Sequence, residues 1–128
     1  MKYYISKTIS TDFESAITRI TDTLKEQGFG VLSEINIQEK FNEKLNVDFR
    51  KYTILGACNP PSAHKAIEAE SQIGTMLPCN VVVQEIAEKQ IEIAAIDPTA
   101  SMMAVENKDV RAIAQEIKAK LEKVIASV

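Results

Sequence analysis

The chain has two thiols, Cys58 and Cys79, and both stand in nearly the same phrase: "ILGACNPPSAH" over 54–64 and "MLPCNVVV" over 76–83. Each cysteine is followed by an asparagine and has a proline close by. A thiol acts as a nucleophile or metal ligand in its thiolate form, so chemistry here needs a neighbour that lowers its pKa. Asn59 before Pro60-Pro61 is the pattern of a helix start, and the amides of a helix start favour an anion or a thiolate. His64, the only histidine, follows about one turn into that helix and could serve as base or ligand. The candidate binding residues are therefore Cys58, Asn59, His64, Cys79 and Asn80, and the chemistries open to them are thiol redox, thiol-mediated group transfer and metal binding. No metal is assigned: two Cys and one His give at most three ligands, without the CxxC spacing of a zinc site. The competing reading is purely architectural. Free cysteine packs as a small hydrophobe, Asn59 caps a helix, Asn80 satisfies backbone at a strand start, and the prolines punctuate.

Where those residues meet depends on the elements that carry them. Residues 2–9 alternate, with Tyr3, Ile5 and Ile9 on one face and Lys2, Ser6 and Thr8 on the other, which predicts a strand. Thr11 with Glu14 reads as a capping box opening a helix over 12–27, and Gly28 suits the left-handed position that closes it. A second strand covers 29–35. Asn36 caps a short helix over 37–45, with Ile37, Phe41 and Leu45 at helical spacing. A third strand covers 51–57, and the helix opened by Asn59 runs to about residue 69. Strands at 78–86 and 90–96 form a hairpin. Asp97-Pro98 opens a short helix, and a last helix from about 107 carries the stripe Val110, Ile113, Ile117, Leu121 and Val124.

With the short helices set aside, the order is β-α-β-β-α-β-β-α. This predicts an α+β fold: one largely antiparallel five-stranded sheet with helices packed on one face. The geometry of strands three and four then decides the fate of the thiols. Parallel neighbours would put Cys58 and Cys79 a strand length apart, about 20 Å; antiparallel neighbours would put them at the same end.

A single domain is expected over 1–128. Net charge is −3, and the 15 basic residues form no cluster, which argues against nucleic acid and against an anionic membrane surface. The amino-terminal residues lack a continuous apolar stretch, so no signal peptide is expected, and a cytoplasmic location with reduced thiols follows. GxGxxG, P-loop, GxSxG and HExxH motifs are all missing, so neither a catalytic residue nor a cofactor is assigned. Glu85, Glu88 and Glu92 read as a solvated hairpin edge.

The run "YTILGACNPPSAHKAIEAESQIGTMLPCNVVV", followed by "IAAIDP" and preceded by "VLSEINIQEKFNEKL", resembles the family known as domain of unknown function 302. The resemblance extends over essentially the whole chain and is carried by Gly56, Ala57, Cys58, Asn59, Pro60, Ala63, Gly74, Leu77, Pro78, Cys79, Asn80, Asp97 and Pro98. It implies a layout related to the TATA-binding-protein-like β-α-β4-α pattern, in which strands three and four are antiparallel neighbours. It implies no activity.

Two classes of function remain. The first is a non-catalytic module. A sheet covered on one side leaves its other face to a small-molecule ligand or to a second copy in a homodimer, and strand four's Val81-Val82-Val83 is apolar on both faces. The second is a thiol-dependent redox, group-transfer or metal-binding protein using Cys58 and Cys79. The first is favoured, because no acid/base or nucleophile constellation stands out on spacing.

Overall fold

Strand alternation builds the architecture, seen in a computed structural model that describes residues 2–128. The elements in chain order are β1 (Tyr4–Ser10), α1 (Phe13–Glu26), β2 (Gly30–Asn36), α2 (Ile37–Leu45), β3 (Tyr52–Cys58) and α3 (Pro60–Ala69). A 3₁₀ segment (Ser71–Met76) leads into β4 (Cys79–Ala87), β5 (Gln90–Ile96), α4 (Pro98–Ser101) and α5 (Lys108–Ser127). The fold is α+β, and the sheet has five strands in the order β1-β5-β4-β3-β2, every neighbouring pair antiparallel.

One face of this sheet is the core. Leu55 and Ala57 of β3, Val81 and Val83 of β4, and Ile91, Ile93 and Ala95 of β5 all point there and are buried. Phe13, Ala16, Ile20 and Leu24 of α1 and Ile117, Leu121 and Val124 of α5 cover them. Each fully buried Leu, Ile or Val contributes about 1.5–3 kcal/mol, so this apolar sandwich is the main source of stability. A smaller cluster of Ala66, Ile73, Met102, Val110 and Ala114 joins α3, the 3₁₀ segment and α5 at the end of the sheet where β4 begins.

The helix ends follow local chemistry. Gly28 adopts φ +84°, donates to the Lys25 carbonyl, and the next amide, Phe29, reaches back to Leu24. That pair of bonds is the left-handed closure expected of glycine after a helix, with Phe29 and Leu24 both buried beside it. Asn36, Asn59, Asp97 and Asn107 cap the helices they precede. The first cap differs by one residue from the expectation. Asp12, not Thr11, accepts from the Ser15 amide and hydroxyl, both at 2.8 Å. A carboxylate at the helix start offers two acceptor atoms where a threonine offers one, and it complements the helix dipole.

Tyr3 also departs from the alternating pattern. It was expected on one face with Ile5 and Ile9, but β1 begins only at Tyr4, and Tyr3 is 64% exposed. α2 has no fully buried residue and rests against β3 through an aromatic chain, Phe41 to Phe49 at 5.1 Å and Phe49 to Tyr52 at 6.1 Å between ring centres.

Candidate functional site

β3 and β4 are antiparallel neighbours, with Ala57 opposite Cys79 and Gly56 opposite Asn80. The two cysteines therefore share one end of the sheet, as the fold resemblance implied. They do not share a face. Ala57 and Cys79 are both buried on the helix side. Cys58, one residue beyond Ala57, is turned by strand alternation toward the other side, where it is half-buried opposite Gly30 of β2. Both thiols are free.

The surroundings of Cys79 are apolar. It borders a small cavity of about 30 Å³ lined by Phe29, Ala57, Ala63, Ala66, Leu77 and Met102 among others. Burial, reinforced by the neighbouring Cys58 thiol, pushes the Cys79 pKa up from 9.0 to about 11. A reactive cysteine needs the opposite shift.

The mouth of α3 is also closed to anions. Its first two positions are Pro60 and Pro61, which have no amide hydrogen. The next amide, Ser62, is already bonded to the Asn59 side chain at 3.3 Å, and the Ala63 amide to the Asn59 carbonyl at 2.9 Å. The amides that were expected to stabilise a thiolate are therefore absent or in use. Asn59 is 8% exposed; besides capping α3 it reaches the Gln27 carbonyl at 3.5 Å, tying the end of α1 to the start of α3.

His64 stands on the outer side of α3, its side chain 79% exposed and 3.7 Å from Glu68. The α3 residues bordering the Cys79 cavity are Ser62, Ala63 and Ala66, so His64 is not among the neighbours of that thiol's cavity. Among the described residues no three His, Cys, Asp or Glu side chains are grouped to hold a metal. Asn80 is exposed on the uncovered face of the sheet, opposite Gly56. The five sequence candidates thus divide. Asn59 and Cys79 are built into the packed side, Asn80 and Cys58 belong to the other face, and His64 stands apart.

The uncovered face has its own geometry. Cross-strand pairing sets its side chains in rows: Tyr52, Gln84, Glu92 and Thr8 in one, and Ile35, Ile54, Val82, Ala94 and Ser6 in the next. Beyond these stand Gly56 with Asn80, and Ile96 with Tyr4. Small Ala94 and half-buried Val82 leave the middle low. The result is a groove of about 330 Å³, floored by Val82 and Ala94 and walled by Tyr3, Tyr4 and Tyr52. Those are all three tyrosines of the chain. Its polar groups are oriented. Arg50 Nε donates to Gln84 Oε1 at 2.9 Å, which turns Gln84 Nε2 toward Glu92 Oε1 at 3.2 Å.

Glu92, read from sequence as part of a solvated hairpin edge, is half-buried on this face. Neither the tyrosines nor Gln84 were named as site candidates. The available signal was the pairing register: Tyr52, Gln84 and Glu92 fall into one row only once strands three, four and five are aligned.

One close contact shapes the cysteine end of this face. A methyl group on Gly56 would meet Ser33 Oγ and would lie 2.7 Å from Pro78 Cγ, so glycine lets Pro78 fold down against the sheet just before Cys79. The Leu77–Pro78 bond is cis.

The model of the family described as "Domain of unknown function DUF302" matches residues 5–128. The chain belongs to the DUF302 family. No curated protein matches it. Among solved structures it is similar to the crystal structure of an uncharacterized conserved protein DUF302 from Bacillus stearothermophilus. The two are 28% identical, with a TM-score of 0.90, over 99% of this chain and 98% of that one. The DUF302 match spans the packed cysteine end and, of the groove, all the lining but Tyr3 and Tyr4.

Proposed function

We propose that this DUF302 protein is a non-catalytic binding module of the cytoplasm whose working surface is the uncovered face of its sheet. The observation that carries this reading is the groove over Val82 and Ala94. It is concave, walled by three tyrosines, and furnished with a hydrogen-bonded Gln84–Glu92 pair. Its volume, about 330 Å³, stands at the lower end of the range for small-molecule sites, which are mostly apolar with a few placed polar groups. A thiol-dependent redox, group-transfer or metal-binding role for Cys58 and Cys79 is less well supported, since Cys79 is held in its protonated form.

The test is an NMR screen of the isotope-labelled protein against a chemically diverse fragment set, with sedimentation velocity alongside. Hits clustered on the amides of Val82, Gln84, Glu92 and Ala94 support the reading. Self-association that Val82→Arg reverses supports it too, with a second copy as the occupant. Hits confined to the Cys79 cavity, or no hits and a monomer at all concentrations, overturn it.

A further inference from the structure

From the charge and lining of the groove we infer that it takes a small organic cation: an ammonium or amidinium group on an apolar body. This inference rests on the reading of the face given above and narrows it to a ligand class. Three observations converge.

The first is charge. Of the side chains that line the groove, Glu92 alone is of a charged type, the others being tyrosine, asparagine, glutamine or aliphatic, while Lys2 and Arg50 stand at the rim over Tyr4 and Tyr52. A half-buried carboxylate in an apolar setting attracts a compensating cation and repels anions.

The second is orientation. Arg50 satisfies the Gln84 carbonyl, so Gln84 presents an N–H to Glu92 and holds one carboxylate oxygen at 3.2 Å. That bond turns one carboxylate oxygen toward Gln84 on the grooved face.

The third is the wall. Tyrosine faces attract cations through their quadrupole, most strongly where water is partly excluded. The protein already uses these rings that way: the Lys2 ammonium lies 5.3 Å from the Tyr4 ring centre and the Arg50 guanidinium 5.6 Å from that of Tyr52. An aromatic wall, an aliphatic floor and one oriented carboxylate complement an organic cation in each of its parts.

Benzamidinium and its neutral near-isostere benzamide are the probes. All three tyrosines line this groove, so every tyrosine ring resonance reports on it. Benzamidinium is expected to shift the tyrosine rings and the Val82 and Ala94 amides saturably, with benzamide about tenfold weaker. Glu92→Gln should remove that preference while leaving the fold unchanged, and Ala94→Phe, which fills the floor, should abolish both. Equal binding of the two probes, or a preference that survives Glu92→Gln, overturns the inference yet leaves the binding face standing. Silence toward benzamidinium while neutral or anionic fragments occupy the groove does the same. Silence toward every fragment from a protein that stays monomeric at all concentrations overturns both.

Discussion

Alkylation of the native protein separates the two thiols. Cys79 ionises near 11, against 9.0 for an unperturbed thiol, because burial disfavours its thiolate and the neighbouring Cys58 adds to the effect. At pH 7.5 that leaves about a hundredfold less thiolate than a free cysteine would carry, and alkylation proceeds through the thiolate. Since Cys79 is only 8% exposed, access slows the reaction further. Iodoacetamide at pH 7.5, followed by peptide mapping, should therefore modify half-exposed Cys58 at least a hundredfold faster than Cys79. In Cys58→Ser, where Cys79 reacts alone, its rate should climb about tenfold per pH unit well past pH 9. The same shift sets a stability limb. Below pH 9 the thiol is protonated in both folded and unfolded chains, so the full contribution is present. Between about 9 and 11 only the unfolded chain releases the proton, so stability falls as pH rises, by about 2–3 kcal/mol in all. Cys79→Ala should lack that loss in urea titrations run at pH 8 and pH 10.5. Labelling of Cys79 within tenfold of Cys58 in the native state would refute the reasoning, and with it the assignment of Cys79 to the core.

Four further outcomes follow from the packing. Gly56→Ala should destabilise by about 1–3 kcal/mol in urea unfolding, because the added methyl meets the Pro78 ring and Ser33 Oγ. Asn59→Ala should cost about 1–2 kcal/mol through loss of the α3 cap and of the tie to Gln27, while Asn59→Asp, which keeps the capping oxygen, should recover most of it. At Asp97, burial alone would raise the carboxyl pKa, but hydrogen bonds from Thr99 and Lys118 outweigh it and hold the group below 3.8. Its stabilisation is then present above pH 3.8 and lost as pH falls through the lower folded value, so Asp97→Asn should flatten the acid side of a stability profile measured from pH 6 to pH 2. Ala57→Cys in a Cys58→Ser background places a thiol directly opposite Cys79, and antiparallel partners have Cα atoms about 4.5–5.5 Å apart, inside the disulfide range. Mild oxidation should cross-link that variant and leave the natural Cys58 and Cys79 unlinked, as a mass change on reduction would show.

Most of the architecture was legible because its signals are local. Ile91, Ile93 and Ala95 alternate against Gln90, Glu92 and Ala94, and that period alone assigns the buried face of β5. Asn36, Asn59 and Asp97 each precede a helix and each caps it, since a short polar side chain at that position has one favourable partner, the free amide two or three residues on. Gly28 took the left-handed conformation for the same kind of local reason. The start of α3 was instead expected to favour an anion, although the signal against it is local too: two consecutive prolines cannot donate. The groove was not legible, because its parts lie far apart in the chain. Tyr3 and Tyr4 come from the first strand region, Tyr52 from the third strand, and Gln84 and Glu92 from the hairpin. Only the order β1-β5-β4-β3 brings them onto one face.

The repeated Cys-Asn phrase shows how phase along a strand outranks resemblance between segments. Cys58 and Cys79 lie at the same end of adjacent strands, yet the register pairs Cys79 with Ala57. That single-residue offset sends the two thiols to opposite faces, because side chains alternate with period two. The neighbours diverge for the same reason. Asn59 is buried as a helix cap, whereas Asn80 is exposed on the grooved face. Pro60 opens a helix, whereas Pro78 lies against Gly56 and sets the entry of β4. Two similar phrases thus perform two different structural tasks, and a thiol pair read from their likeness would need them on one face. The polar groups that do share a face, Arg50, Gln84 and Glu92, are joined by hydrogen bonds across three strand regions and have no likeness in sequence. The search for what this protein binds therefore belongs with that row and its tyrosines.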